Sequence, residues 1–124
     1  MISYLIGKLV DASPTKIVVD VGGVGYDVTV PQSTYGNLPD LTREVKILTY
    51  QHVREDALDL YGFITVEERD LFKTLLGITG IGPKVAIGIL SGISIHEFYH
   101  AIAHHDTKRL SSISGVGKKT PALS

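Results

Sequence analysis

The sequence predicts an α+β protein: an N-terminal five-stranded β-barrel over residues 1–64, then an all-α half over residues 65–124. Three observations predict it. Five short β-branched or alternating runs precede Ile64, and a helix-opening pattern begins at Thr65. The second half then writes Ile-hydroxyl-Gly-aliphatic-Gly twice, in "GITGIGPKVAI" (Gly77–Ile87) and "SISGVGKKTPA" (Ser112–Ala122).

The strand runs come in order. "SYLIGKLV" is apolar with a glycine break, "KIVVDV" is β-branched, and "GYDVTV" alternates with Tyr26, Val28 and Val30 on one side. "VKILTYQHV" and "ALDLYGF" supply two more, and the separators are "DASPT", "GGVG", "PQSTYGNLPDLTRE" and "RED". Five short strands between turn signals fit a small barrel, of which the OB-fold is the common five-stranded kind, or a fragment of a sandwich.

At Thr65 the period changes. Thr65 and Glu68 have the spacing of a capping box, in which the hydroxyl accepts from a free N–H and the carboxylate reaches back. Leu71, Leu75 and Ile78 follow at helical spacing. Pro83 suits the first turn of a second helix, because its fixed φ is helical and its missing N–H would have no partner there. That helix runs to about Leu90. Ser94 and Glu97 open another, to about His104, and Asp106 caps a short one over 107–112.

Composition narrows the class. A chain of 124 residues, 44% hydrophobic, forms one domain or two very small ones. It has no membrane-length apolar run and no secretory pattern at its start, and its lack of cysteine fits a cytoplasmic protein. Residues 1–64 hold eight acids and five bases; residues 65–124 hold five acids and seven bases. A polyanion would therefore be gripped by the second half and met selectively by the first.

The repeated stretch has the chemistry of such a grip. Gly80 and Gly82, like Gly115 and Gly117, lie between two helices, where glycine permits positive φ and close backbone approach. Ile81 and Val116 are placed to plug the gap between the flanking helices. Each following helix opens at once, so its free N–H groups and positive dipole end form an anion site. Lys84 in one copy, and Lys118 and Lys119 in the other, add full charge. The hydroxyls of Thr79 and Ser114 complete the two sets. A phosphodiester read without regard to sequence is the matching anion, and two related hairpins suit the two backbones of a duplex.

Other phosphate motifs fail on position. For a Walker A loop, Gly77 and Gly82 have the spacing but Pro83 occupies the lysine position; Gly117-Lys118 has the lysine but lacks the first glycine and the hydroxyl. A dinucleotide fingerprint needs a preceding strand and a third glycine where Val85 stands. His96, His100 and His104 recur every four residues, but opposite the apolar face of Ile95, Phe98, Tyr99 and Ile102, so they read as a solvated face and no metal is expected. No cofactor and no catalytic residue are assigned.

Tandem "ITGIGPK" and "ISGVGKK" look like paired helix-hairpin-helix motifs. Together with "VGGVGYDV" and "REDALDLYGF" ahead of them, they make the chain resemble the RuvA family, bacterial Holliday-junction branch-migration proteins. The resemblance covers residues 1 to about 120. It implies an OB-fold followed by a helical domain, and assembly as a homotetramer on a four-way junction or as two tetramers sandwiching it. It also implies service in recombination and repair as the non-catalytic specificity subunit of a hexameric motor, RuvB, which carries the ATP chemistry, alongside the resolvase RuvC.

Two departures bear on those expectations. In the family a long helix follows the second hairpin's lysines, whereas here "KKT" runs into "PALS", so the second hairpin is expected to be half built or disordered. The family's motor-binding third domain is likewise expected to be missing. The chain resembles a truncated form that should bind junctions poorly or differently and should not stimulate RuvB normally.

The resemblance also changes the reading of "HVREDALD". By itself Glu55-Asp56 is a solvated turn. In the family an acidic pin at this point projects into the junction centre, and Glu55 and Asp56 match it. Arg54, beside them, either moderates their charge or touches a phosphate. Two other classes remain as alternatives. A helix-hairpin-helix repair glycosylase needs a catalytic lysine or aspartate in a deep pocket, for which this chain is short. A protein-interaction module would bind with little dependence on salt.

Overall fold

The computed structural model describes residues 1–92 and His100. The chain divides into two compact units, Met1–Arg69 and Asp70–Ser124.

The first unit is built on five strands, β1 (Tyr4–Ala12), β2 (Lys16–Val21), β3 (Val24–Thr29), β4 (Glu44–Val53) and β5 (Leu58–Phe63). They close into a barrel in the order β1-β2-β3-β5-β4, with β4 returning to β1. All neighbours are antiparallel except β3 and β5, which meet in parallel at Thr29 and Tyr61. This is the five-stranded OB-type barrel rather than a sandwich. Alternation explains the core: Leu5 and Leu9, Ile17 and Val19, Val28 and Val30, Val45 and Ile47, and Leu60 all point inward and are buried.

The turns follow from local chemistry. Between β2 and β3, Gly22 and Gly23 both take positive φ, 60° and 95°, the requirement of a two-residue hairpin turn matched to strand twist. The Gly23 N–H donates to Asp20 Oδ1 at 2.8 Å. The expected glycine break in the first run is not a break. Gly7 sits inside β1 opposite Val45, and a Cβ there would lie 2.3 Å from the Asp20 carbonyl oxygen. A bulge between Leu9 and Asp11 bends the strand instead.

The long separator before β4 holds a short helix that the sequence did not announce, α1 (Gln32–Tyr35), with Thr34 buried. Four residues are too few to show a helical period. Its anchor is Glu68, in α2 (Val66–Leu76). The capping box is present as read: the Thr65 N–H and hydroxyl donate to Glu68 Oε1 at 3.4 and 3.1 Å, and the Glu68 N–H donates to Thr65 Oγ1 at 3.2 Å. The other carboxylate oxygen, Oε2, accepts from the hydroxyls of Ser33 and Thr34. Glu68 is only 7% exposed, so these donors replace its water. Glu68→Ala strips a helix cap and leaves the buried Thr34 hydroxyl without its acceptor, and should cost about 1–3 kcal/mol in urea unfolding. A loss under ~0.5 kcal/mol, within the scatter of surface changes, would show that Glu68 holds nothing.

In the second unit, Leu71, Phe72 and Leu75 form the buried stripe of α2, and Ala86, Ile89 and Leu90 that of α3 (Pro83–Gly92). Pro83 is the first helical residue, and α3 runs two residues past Leu90.

Candidate nucleic-acid interface

Two features among the described residues bear opposite charge chemistry, one in each unit. The first is the corner between α2 and α3. The chain leaves α2 through bonds from Gly77 N–H to the Thr74 carbonyl (3.1 Å) and from Ile78 N–H to the Leu75 carbonyl (3.0 Å). The Ile81 N–H then donates to the Ile78 carbonyl at 3.1 Å. Gly80 takes φ 87°, in the region that side chains rarely adopt. Gly82 differs: its φ is not positive, and a Cβ there would meet nothing within 4 Å. Only one of the two glycines is thus required by backbone conformation, and the other leaves the corner uncovered.

Within the corner, Ile81 is 5% exposed and forms its apolar floor, while Thr79, Gly80, Gly82 and Lys84 are solvent-accessible. The Gly82 carbonyl accepts from Ala86 N–H at 3.0 Å, which makes Gly82 the residue that opens α3. Among the described residues, none accepts a hydrogen bond from the N–H of Thr79, Gly80, Gly82, Lys84 or Val85. Unmet N–H groups, the positive end of a ten-residue helix and an ammonium group therefore share one open corner. Ser114, Gly115, Val116, Gly117, Lys118 and Lys119, the second copy, lie outside the described residues.

The second feature is the β4–β5 hairpin. β1 pairs with β4 only as far as Leu48, whereas β4 runs on to Val53 paired with β5. The N-terminal residues follow it a little further, with Thr49 N–H donating to the Ser3 carbonyl at 2.9 Å and Ile2 N–H to Gln51 Oε1 at 2.7 Å. Beyond Gln51 the hairpin has no strand but its own partner among the described residues. Its turn closes through Arg54 N–H to the Ala57 carbonyl at 2.8 Å, which puts Glu55 and Asp56 at the two central, exposed positions.

The sequence leaves the partner of Arg54 open, and in the structure it is neither of these acids. Arg54 Nε stands 2.9 Å from Asp59 Oδ2, on the returning strand. Hairpin register places Asp59 opposite His52, one step below the Val53–Leu58 pair and within reach of Arg54. A five-residue spacing across an unassigned turn does not reveal this. Beneath the pair, burial pushes the Tyr61 phenol above its ordinary value of 10.0; Asp59 adds to the rise and Arg54 opposes it.

Among the described residues no group of three or more His, Cys, Asp or Glu is placed to hold a metal, and no described helix is long and apolar enough to cross a membrane.

Comparison with known proteins agrees with the order of these parts. Residues 1–62 match the family model of the RuvA N terminal domain, and residues 72–120 match that of the SAM-like helix-hairpin-helix tandem. The chain is 48% identical over 122 residues to the Holliday junction branch migration complex subunit RuvA of Chlorobium phaeobacteroides (strain BS1), covering 98% of this chain and 61% of that protein. Against the RuvA subunit of Solibacter usitatus (strain Ellin6076) it is 48% identical over 120 residues, 97% of this chain and 61% of that one. The RuvA subunit of Neisseria meningitidis serogroup C / serotype 2a (strain FAM18) is 50% identical over 120 residues, with 97% and 62% covered. The chain thus spans about 61% of the length of the curated relatives it matches.

Proposed function

This chain belongs to the RuvA family, and on that premise we propose that it is the junction-recognition subunit of a branch-migration complex, holding the arms of four-way DNA through phosphate contacts that ignore sequence. The observation that carries the reading is the open corner from Thr79 to Lys84, with its unmet N–H groups at the head of α3. Such a corner suits an anion on a flexible or helical backbone, a contact that carries no sequence information.

In this reading the barrel domain is residues 1–64 and the helical domain residues 65–124. The first grip is Thr79, Gly80, Ile81, Gly82 and Lys84. The second is Ser114, Gly115, Val116, Gly117, Lys118 and Lys119, which this reading assigns to the opposite strand across the minor groove. Glu55 and Asp56 face the crossover and repel phosphates there. Four subunits around the junction, or eight enclosing it, repeat each contact. The protein is not itself an enzyme: ATP is hydrolysed by the RuvB motor that it targets to the junction, and RuvC cleaves the product, all in the cytoplasm. The relatives are named as branch-migration subunits, so the glycosylase alternative is not favoured.

The test is a salt titration on a synthetic four-way junction, with solution mass followed alongside. Log affinity should fall steeply and linearly with log salt, and mass should step up by whole multiples of the subunit. Lys84→Ala should weaken binding several-fold and flatten the slope by about 0.9 for each phosphate that the variant no longer neutralises. Salt-independent binding, or equal slopes for variant and parent, would overturn the phosphate grip.

A further inference from the structure

The tip of the β4–β5 hairpin carries one base and three acids within six residues, Arg54, Glu55, Asp56 and Asp59. Where the guanidinium goes decides what DNA meets. Paired with Glu55 or Asp56, it would cancel part of the charge at the tip. Left free, it would be a flexible cation with five N–H donors at the end of a projecting hairpin, suited to a phosphate oxygen. The structure shows neither: Arg54 Nε is bonded to Asp59 Oδ2 at 2.9 Å. Asp59 is set back on the strand, opposite His52, so the pair draws Arg54 away from the turn and toward the barrel. Glu55 and Asp56 are left exposed and without a cationic partner among the described residues.

We infer that Asp59 is a specificity-determining residue, which acts by sequestering Arg54 so that the hairpin tip presents only negative charge to DNA. The inference rests on the placing of this hairpin at the crossover. The pair is solvent-accessible, its side chains 54% and 34% exposed, so Asp59 holds Arg54 by a bias rather than a lock. A bias suffices, because the same hairpin is present once per subunit and the effect compounds in an assembly. Removing the Asp59 charge frees the guanidinium for either competing role, and both erode discrimination: one neutralises the acids, the other adds a phosphate contact.

The experiment is a double-mutant cycle on the whole chain, read as affinity for linear duplex and for a four-way junction across a salt series. The variants are Asp59→Asn, Arg54→Gln, the two combined, and Glu55→Gln with Asp56→Gln. Asp59→Asn should raise duplex affinity several-fold and steepen its salt slope by about 0.9 for each guanidinium that reaches a phosphate. The same change made on Arg54→Gln should do nothing, because there is no guanidinium to release. Tyr61 reports the change independently. Its phenol should ionise at lower pH once the Asp59 charge is gone, whether or not DNA binding responds. If duplex affinity is unmoved by Asp59→Asn, or rises equally with and without Arg54, sequestration is wrong and Asp59 is a bystander or a plain charge. If the Glu55/Asp56 variant also leaves discrimination unchanged, the placing of the hairpin at the crossover has failed and this inference falls with it. If that variant erodes discrimination while Asp59→Asn does not, only the inference fails.

Discussion

Converting Glu55 and Asp56 together to glutamine should bring the affinity of this chain for linear duplex close to its affinity for a four-way junction. The two residues occupy the central positions of an exposed turn on a hairpin that outruns its neighbouring strands. Their carboxylates have no cationic partner among the described residues, since Arg54 is committed to Asp59. A carboxylate about 7 Å from a phosphate costs roughly 0.6 kcal/mol in water and about 2.4 kcal/mol at an effective dielectric of 20. With the hairpin at the crossover, as proposed, two such groups per subunit would penalise a continuous phosphate backbone at the centre by at least about 1 kcal/mol. An open crossover, where the strands turn outward, escapes that cost. This is rejection of the wrong partner rather than attraction of the right one. Glutamine keeps the size and hydrogen bonding and removes only the charge. Competition gel shifts should show discrimination falling by about tenfold, the equivalent of ~1.4 kcal/mol, with duplex affinity rising. Unchanged discrimination would mean that the turn faces away from the DNA.

The second large effect is structural. Gly62→Ala should destabilise the barrel by about 1–3 kcal/mol despite the better strand propensity of alanine. A Cβ at Gly62 would lie 2.5 Å from Val28 Cγ1 and 2.6 Å from Ile47 Cγ2, far inside van der Waals contact. Both neighbours are fully buried branched side chains of the closed core, with restricted rotamers and little free volume to move into. A domain of this size should lose on the order of 10 °C of thermal midpoint. Gly82→Ala, where a Cβ meets open space, is the control and should leave the midpoint within a few degrees, the reach of ordinary surface changes. Equal effects at both sites would show that the core relaxes around the added methyl.

The contrast between these glycines shows what was legible. "LYGF" and "GIGPK" look alike on paper, each a glycine beside apolar residues. One glycine is the place where three strands converge, and the other is an open corner. Likewise Gly7 reads as an interruption and proves to be a position where a Cβ would collide with the backbone of Asp20 in β2. The capping box at Thr65 and Glu68 was readable because both partners lie within one helical turn. The further bonds from Ser33 and Thr34 to the same carboxylate were not, because they bridge about 35 residues of chain. The acidic turn was visible as composition, but which acid holds Arg54 depends on the register of β4 against β5.

The amino-acid order alone determined the five strands, the switch to helix at Thr65, the proline-led start of α3 and the charge character of each candidate surface. All of these follow from periods, caps and turn chemistry that act within a few residues. Only the tertiary structure decided that the strands close into a barrel rather than a sandwich fragment, that Gly80 and not Gly82 takes the positive φ, and that Arg54 is turned from the tip toward Asp59. Those outcomes rest on pairings between β1 and β4, β3 and β5, and the two arms of a hairpin, and on the path of the chain from α2 into α3. Packing and hydrogen-bond register settle them across distances that local propensity does not reach.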